Sequence, residues 1–321
     1  MRKKAFFLFP GQGAQFQGMA LDLLELAKQS SDGERVKRLF SLASEFYGKD
    51  ISELLRNSSQ DELKKTDISQ PAISLANLAA AAYLAAKGIT PAGCAGFSLG
   101  EYSALATAGV ISEDDCLLLV TRRGKAMQAI IDRIPAGPSA PGMAAVIGLA
   151  PKQVEALIAE WKNSGLQELY TANINSPKQV AVSGSAMALE EAEKRFKEAG
   201  AKRFMRLQVA GPYHSPFMKE AADEFSELLS KIEFKDPTIP IFSNVTGKQM
   251  HSGAEAKALA HRQMLDGVRW TDEEEAIAKM QPEMLLEVGP GKVLTGLWKD
   301  TGSTIPCYGA GTVEEIDKLF E

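Results

Sequence analysis

The fold is decided by residues 92–105, Ala-Gly-Cys-Ala-Gly-Phe-Ser-Leu-Gly-Glu-Tyr-Ser-Ala-Leu. This stretch predicts a short buried strand, a tight Gly-Phe-Ser-Leu-Gly turn and a helix that continues to Ala108. Gly96 and Gly100 flank Ser98, because residues without a Cβ atom let a strand and a helix come close together. Such a turn would present the Ser98 hydroxyl as a nucleophile, although the pentapeptide by itself is a weak signal.

The same turn supplies donors for an oxyanion. The first N–H groups of the helix have no intrahelical partner, and the N–H of Leu99 would face whatever forms on the Ser98 hydroxyl. A second candidate donor is Gln12, in the loop Gly11-Gln-Gly-Ala-Gln15. This loop lacks the glycine spacing of a dinucleotide site and the Gly-Lys-Ser/Thr ending of a phosphate loop. A plain turn is the alternative interpretation.

Strand and helix signals alternate along the chain, which predicts an α/β fold with a mainly parallel sheet. The apolar run at 5–9 is typical of a strand buried on both faces. After a Pro- and Gly-rich linker at 135–141, residues 143–209 show the order β-α-β-β-α-β of a ferredoxin-like unit. We therefore predict an α/β-hydrolase-like large catalytic domain, residues 1–135 and 210–321, with an inserted ferredoxin-like small domain, residues 136–209.

Composition excludes several classes of protein. The 321 residues are 45% hydrophobic and 24% charged, as in globular proteins, and the net charge of −5 argues against a nucleic-acid-binding surface. Cys94, Cys116 and Cys307 have no Cys-x-x-Cys spacing, which indicates a reducing compartment rather than a disulfide framework or a zinc site. No apolar stretch reaches the about 20 residues of a membrane span. We expect a cytoplasmic protein that binds neither nucleic acid nor membrane.

A histidine and an arginine occupy informative positions. His214 lies in the rigid loop Gly211-Pro-Tyr-His-Ser-Pro216, at the predicted domain boundary where clefts form, so it is the best candidate base among three histidines. Arg123 interrupts the apolar stripe of a predicted helix, which is formed by Cys116, Val120, Met127 and Ile131. A charge on a buried face is costly unless paired, so Arg123 either meets a protein carboxylate or receives a ligand anion.

Together these segments resemble the malonyl-CoA:acyl carrier protein transacylase family, in the family's order and over nearly the whole chain. The segments are Gly-Gln-Gly-Ala-Gln at 11–15, Gly-x-Ser-Leu-Gly-Glu-Tyr at 96–102, Arg123-Gly124, Asn173 with Ser183-Gly184, the Pro-Tyr-His loop, Gln263 before Trp270, and Val288-Gly-Pro-Gly291. Several such motifs together are highly specific.

The resemblance implies transfer of a malonyl group from coenzyme A to the phosphopantetheine thiol of an acyl carrier protein, for fatty-acid or polyketide synthesis. Malonyl-CoA would be the substrate, and no cofactor would be needed. The resemblance further implies that Ser98 carries the acyl group as an ester and that His214 is the base. The main-chain carbonyl of Gln263 would orient His214, in place of a carboxylate.

The resemblance also implies roles for four other residues. Arg123 would bind the malonyl carboxylate, which a fork-shaped guanidinium can do with two parallel bonds. Gln12 and Leu99 would form the oxyanion hole, and Asn173 would be a supporting residue. The chain departs from the family at Phe97, where histidine is common, and this puts in question any polar contact at that point of the acyl pocket.

Two other functions remain as alternatives. A serine hydrolase of the thioesterase or esterase kind would share the turn and the base, but it usually orients its histidine with a carboxylate and has no use for Arg123. A catalytically idle acyl-CoA-binding module would explain Phe97 as decay. For carrier-protein docking, the densest basic region is Lys194, Arg195, Lys197, Lys202, Arg203 and Arg206. A solvated helix face, balanced by neighbouring glutamates, is the alternative there.

Overall fold

The computed structural model describes residues 3–30, 33–135, 137, 139–208 and 211–321. The strands are β1 (Lys3–Phe9), β2 (Ile89–Gly96), β3 (Gly142–Ile147), β4 (Leu169–Ser176), β5 (Gln179–Gly184), β6 (Arg203–Arg206), β7 (Ile241–Phe242), β8 (Gln249–Met250), β9 (Leu285–Glu287) and β10 (Cys307–Gly309). The helices are α1 (Leu21–Lys28), α2 (Glu34–Tyr47), α3 (Ile51–Asn57), α4 (Gln60–Leu63), α5 (Thr66–Ala86), α6 (Gly100–Thr107), α7 (Glu113–Ile131), α8 (Pro151–Asn163), α9 (Ala186–Glu198), α10 (Lys219–Lys231), α11 (Gly253–Arg262), α12 (Trp270–Lys279), α13 (Val293–Asp300) and α14 (Val313–Asp317). Two 3-10 helices span Pro216–Met218 and Lys318–Phe320.

The larger sheet has the strand order β10-β9-β1-β2-β7-β8. Its neighbouring strands are parallel except for β8, which pairs antiparallel with β7. In β1, Phe6 to Phe9 are at most 1% exposed, because helices cover both faces of the sheet. The prediction of an α/β fold with a mainly parallel sheet is confirmed.

The smaller sheet has the order β4-β5-β3-β6 and is antiparallel throughout. With α8 and α9 packed against it, this is the strand order of a ferredoxin-like unit. A separate apolar cluster lies between the sheet and these helices, and it includes the edge-to-face rings of Trp161 and Phe196. The domain boundaries stay a prediction, since residues 136 and 209 lie outside the described residues.

The longest helix, α5, is buried against α7 and α2 in the core of the larger unit. It begins at Thr66, and it accommodates Pro71 near its N-terminus. Within the described ranges, no helix combines the length and apolar character that a membrane span requires.

Three local features position the candidate site. The first is the close crossing of β2 and α6: a Cβ atom on Gly96 would lie 2.1 Å from the carbonyl carbon of Gly100, and one on Gly100 would lie 2.0 Å from the Phe9 oxygen. The second is β7, which ends at Phe242, two residues before Asn244. The third is α11, which ends at Arg262 and so frees the carbonyls that follow.

Candidate active site

Ser98 lies in the predicted turn between β2 and α6. Its backbone is in the left-handed region, with φ 49°, which is uncommon for a residue other than glycine and concentrates at functional sites. Two side chains hold this conformation. The Ser98 N–H donates to Asn244 Oδ1 at 2.7 Å, and the Ser98 carbonyl accepts from Gln263 Nε2 at 2.6 Å. The strand–turn–helix geometry therefore presents the hydroxyl as the sequence predicts.

His214 approaches Ser98 from far along the chain. The His214 Nε2 atom lies 2.8 Å from Ser98 Oγ, and Nδ1 lies 2.9 Å and 3.0 Å from the main-chain oxygens of Gln263 and Asp266. Because carbonyl oxygens only accept, Nδ1 carries the proton and Nε2 is left to accept from the Ser98 hydroxyl. These carbonyls are available because α11 has ended. The geometry is that of a nucleophile and a base, and the base is oriented by main-chain carbonyls rather than by a side chain.

The loop around His214 is rigid. His214 has φ 53°, and its neighbours are fixed by two short hydrogen bonds: Ser183 Oγ donates to the Tyr213 oxygen and Ser215 Oγ to the Pro212 oxygen, both at 2.5 Å. Burial is the larger cause, and the positive charge of Arg123 the smaller one, of a lowering of the His214 pKa to about 4. The imidazole is therefore neutral at neutral pH and able to accept a proton.

Arg123 is 1% exposed on α7, and no described carboxylate lies within ion-pair distance of it. One guanidinium nitrogen donates to Gln263 Oε1 at 3.0 Å, while Nε has no partner among the described residues. The guanidinium carbon lies 5.6 Å from the centre of the Tyr102 ring. The buried carboxyl of Glu101 does not neutralise it, because burial raises the pKa of Glu101 to about 8. Of the two alternatives that the sequence left open for Arg123, the internal salt bridge is not formed with any residue that the structure describes.

Leu99 and Gln12 are the candidate donors to an oxyanion. The N–H of Leu99 has no acceptor within the described part of the chain, and neither has the main-chain N–H of Gln12. The side chain of Gln12 is turned away, since its Nε2 donates to Tyr213 Oη at 3.3 Å and to Thr66 Oγ1 at 3.4 Å. A Cβ atom on Gly11 would lie 3.5 Å from the Leu99 nitrogen, so the two backbones meet. Gln12 can thus contribute through its backbone rather than through the side-chain amide.

Ser98, His214 and Arg123 line one cavity of about 310 Å³. Other walls come from both sheets and their loops, and they include Gln12, Leu99, Asn173, Ala181 and Gln208. Asn173 also joins β4 to the larger unit through a parallel bridge with Val268. Phe97 lines the cavity and packs edge-on against Trp270, with ring centres 5.4 Å apart. An apolar ring therefore forms this part of the cavity wall.

The sequence reasoning missed a buried polar layer beneath the turn. Asn244, Glu101 and Glu273 are at most 2% exposed and are connected by hydrogen bonds. Only Asn244 had a usable signal, as a polar residue at the carboxyl end of a predicted parallel strand, where sites form in open α/β sheets. The two glutamates looked like ordinary residues of helix surfaces.

Known proteins match this fold and site. A family described as "Acyl transferase domain" matches residues 6–316. The malonyl CoA-acyl carrier protein transacylase of Bacillus subtilis (strain 168) is 39% identical over 324 residues, which cover 99% of this chain and 96% of that protein. An acyl carrier protein S-malonyltransferase from Vibrio cholerae has a TM-score of 0.88 at 38% identity, covering 99% of each chain. A malonyl-transacylase solved with a type II PKS acyl-carrier protein has a TM-score of 0.86 at 36% identity, covering 98% of each chain.

The fold and the site thus define an acyl transferase domain. The chain belongs to the malonyl CoA-acyl carrier protein transacylase family. The family prediction made from the sequence motifs is confirmed.

The electrostatic coupling between Arg123 and His214 can be measured. We expect the pKa of His214 to rise in Arg123→Ala but to stay below its reference of about 6.5, because burial is the larger cause of the lowering. Nuclear magnetic resonance titration of the imidazole carbons would follow all three histidines, with His214→Gln assigning the resonance. In the unsubstituted protein the folded pKa is the lower one, so stability should fall as pH drops from about 6.5 towards 4. An unchanged His214 pKa in the variant would contradict the coupling.

Proposed function

We propose that this protein transfers a malonyl group from coenzyme A to the phosphopantetheine thiol of an acyl carrier protein, in the cytoplasm, through an ester on Ser98. The product would serve fatty-acid or polyketide synthesis. The observation that carries the proposal is the buried guanidinium of Arg123, which has no carboxylate partner in the part of the chain that the structure describes and which lines the same cavity as a serine–histidine pair. Such a cavity suits an acyl group that is itself an anion.

The first half-reaction uses His214 as base. As Ser98 Oγ attacks the thioester carbonyl, its proton passes to His214 Nε2, 2.8 Å away. The N–H groups of Leu99 and Gln12 would stabilise the resulting oxyanion, and losing one such donor typically costs about 3 kcal/mol. When the carbon–sulfur bond breaks, His214 returns the proton to the departing thiolate. Malonyl-Ser98 and free coenzyme A remain.

The second half-reaction reverses these steps with the carrier-protein thiol as nucleophile. His214 takes the thiol proton, the thiolate attacks the ester carbonyl, and the proton then returns to Ser98 Oγ. In both halves Arg123 would pair with the distal carboxylate of the malonyl group. That pairing also offsets the positive charge that lowers the pKa of His214, so a bound malonyl group makes the imidazole a better base. The mechanism uses no cofactor.

Two features favour transfer over the hydrolase alternative. His214 is oriented by main-chain carbonyls rather than by a carboxylate, and the cavity holds the cation of Arg123. The idle-module alternative is disfavoured by the intact contact between Ser98 and His214. Phe97 leaves that contact undisturbed, since its ring packs against Trp270.

The carrier protein would dock on part of the basic region. On α9, Lys194, Arg195 and Lys197 each pair with the glutamate four residues earlier, so their charges are largely balanced. Exposed Lys202, Arg203 and Arg206 make no ion pair with any described residue. They lead directly into Leu207 and Gln208, which line the cavity. We therefore assign docking of an acidic carrier protein to this second group, which we call the β6 basic strip (Lys202, Arg203 and Arg206).

Mass spectrometry after mixing with malonyl-CoA tests the proposed reaction. We expect a malonyl ester on Ser98 that is discharged by the thiol of a carrier protein, and no adduct in Ser98→Ala. Steady release of free malonate without carrier protein would instead identify a hydrolase. No adduct at all would identify an idle module.

Arg123→Ala tests the assignment of the malonyl carboxylate. Removing one member of a buried charge pair typically costs about 2–4 kcal/mol, so kcat/KM for malonyl-CoA should fall roughly 30- to 1000-fold. Transfer of acetyl should be retained or increased, because the cation no longer needs an anion. Arg122→Ala, at the exposed neighbouring position, is the matched control. An unchanged preference for malonyl over acetyl in Arg123→Ala would remove Arg123 from this role.

Charge reversal tests the β6 basic strip. In Lys202→Glu/Arg203→Glu, the KM for carrier protein should rise by roughly tenfold at low salt, since rim charges mainly steer encounter. The rate of acylation by malonyl-CoA should stay unchanged. The control is Lys194→Glu/Lys197→Glu, whose residues are already ion-paired. Equal KM values in both double variants would place docking elsewhere.

A further inference from the structure

We infer that Asn244 is a positioning residue for Ser98, which holds the nucleophile in the left-handed conformation that the reaction needs. The inference rests on the proposed role of Ser98. Asn244 lies just beyond β7, is fully buried and is not among the residues that line the cavity. It therefore acts through Ser98 rather than on the substrate.

Asn244 binds the turn at three points. Its Oδ1 accepts from the Ser98 N–H at 2.7 Å, and its Nδ2 donates to the Gly96 carbonyl at 2.7 Å. Its main-chain N–H donates to Glu101 Oε2 at 2.6 Å. The three partners are the last residue of β2, the nucleophile and the second residue of α6. One side chain and its own backbone thus span the whole strand-to-helix turn.

The orientation of the Asn244 amide is determined by its partners. The Nδ2 side faces two acceptors, the Gly96 carbonyl and Glu273 Oε1, the latter at 2.8 Å. The Oδ1 side faces the N–H of Ser98, with the side-chain amide of Gln263 farther off at 3.4 Å. In a flipped amide, Oδ1 would face the Gly96 carbonyl oxygen and Nδ2 would face the Ser98 N–H. Only the observed orientation therefore satisfies these hydrogen bonds. Glu273 therefore helps to aim the oxygen that holds Ser98.

This arrangement matters because the turn is strained. A non-glycine residue at positive φ persists only where the surroundings over-determine it. The direction of the Leu99 N–H, the candidate oxyanion donor, depends on the same peptide geometry. Without Asn244, the Ser98 N–H would lose its acceptor, and the turn could relax away from the geometry in which Ser98 Oγ meets His214.

The test measures the acylation half-reaction by rapid quenching and mass spectrometry over a range of malonyl-CoA concentrations. In Asn244→Ala we expect the maximal acylation rate constant to fall about 10- to 100-fold, as misplacement of a reacting group does. The malonyl-CoA concentration giving half the maximal rate should stay within about threefold, since the residue does not touch the acyl group. Ser243→Ala is the matched control, because its hydroxyl is also buried but, among the described residues, accepts only from the Val245 N–H.

Asn244→Asp provides the conservative variant. Beside Glu101 and Glu273 the new carboxyl would be protonated, so it would keep a carbonyl oxygen for Ser98 and one O–H donor. Its rate constant should lie between those of Asn244→Ala and the unsubstituted protein. If Asn244→Ala does not fold, Asn244→Asp must still be slower than Ser243→Ala. Equal rates for Ser243→Ala and the folded Asn244 variants would overturn the inference, as would a change in half-saturation alone. Failure of the proposed function can be told apart from failure of this inference, because the unsubstituted protein would then form no ester on Ser98.

Discussion

Three groups of the site are joined by hydrogen bonds to one residue, Gln263. Its main-chain oxygen accepts from His214, its Nε2 donates to the Ser98 carbonyl, and its Oε1 accepts from Arg123. Gln263 is the residue that follows the last turn of α11, where carbonyls are free of intrahelical partners. The place where that helix ends therefore sets the nucleophile, the base and the buried cation relative to one another.

The charged groups around Gln263 do not cancel one another. Arg123 is buried without an anionic partner among the described residues. Burial raises the pKa values of Glu101 and Glu273, so these carboxyls do not supply a negative charge. The same low-dielectric surroundings keep His214 neutral. A cavity with one uncompensated cation and a neutral imidazole favours an anionic guest. The residues that would otherwise cancel the cation are instead engaged in holding the turn.

The smaller sheet completes the cavity. Asn173 on β4 pairs with Val268 of the segment after α11, and Ser183 on β5 donates to the carbonyl before His214. Through the second contact the smaller sheet holds the loop that carries His214, and through the first it holds the segment after α11. The smaller sheet therefore helps to position His214, which the turn around Ser98 alone would not do.

Local sequence was enough to predict the turn, the rigid histidine loop and the apolar stripe that contains Arg123. Their signals lie within a few residues: glycines at a close crossing, prolines beside His214, and helical periodicity. The family motifs also allowed the main-chain carbonyl of Gln263 to be predicted as the hydrogen-bond partner of His214. The domain boundaries remain predictions, and so do the roles of Asn173 and of the β6 basic strip.

By itself, the sequence determined the class of fold and pointed to the candidate nucleophile and its candidate partners, because sterics and periodicity act between near neighbours. Only the tertiary structure decided that Arg123 pairs with no carboxylate of the described residues, that the Gln12 side chain turns towards Tyr213, and that Asn244 holds the backbone of Ser98. These contacts join residues far apart in the chain, such as Ser98 and Asn244 at a separation of 146. Hydrogen-bond partners at that distance are selected by packing, and no local pattern of residue types specifies them.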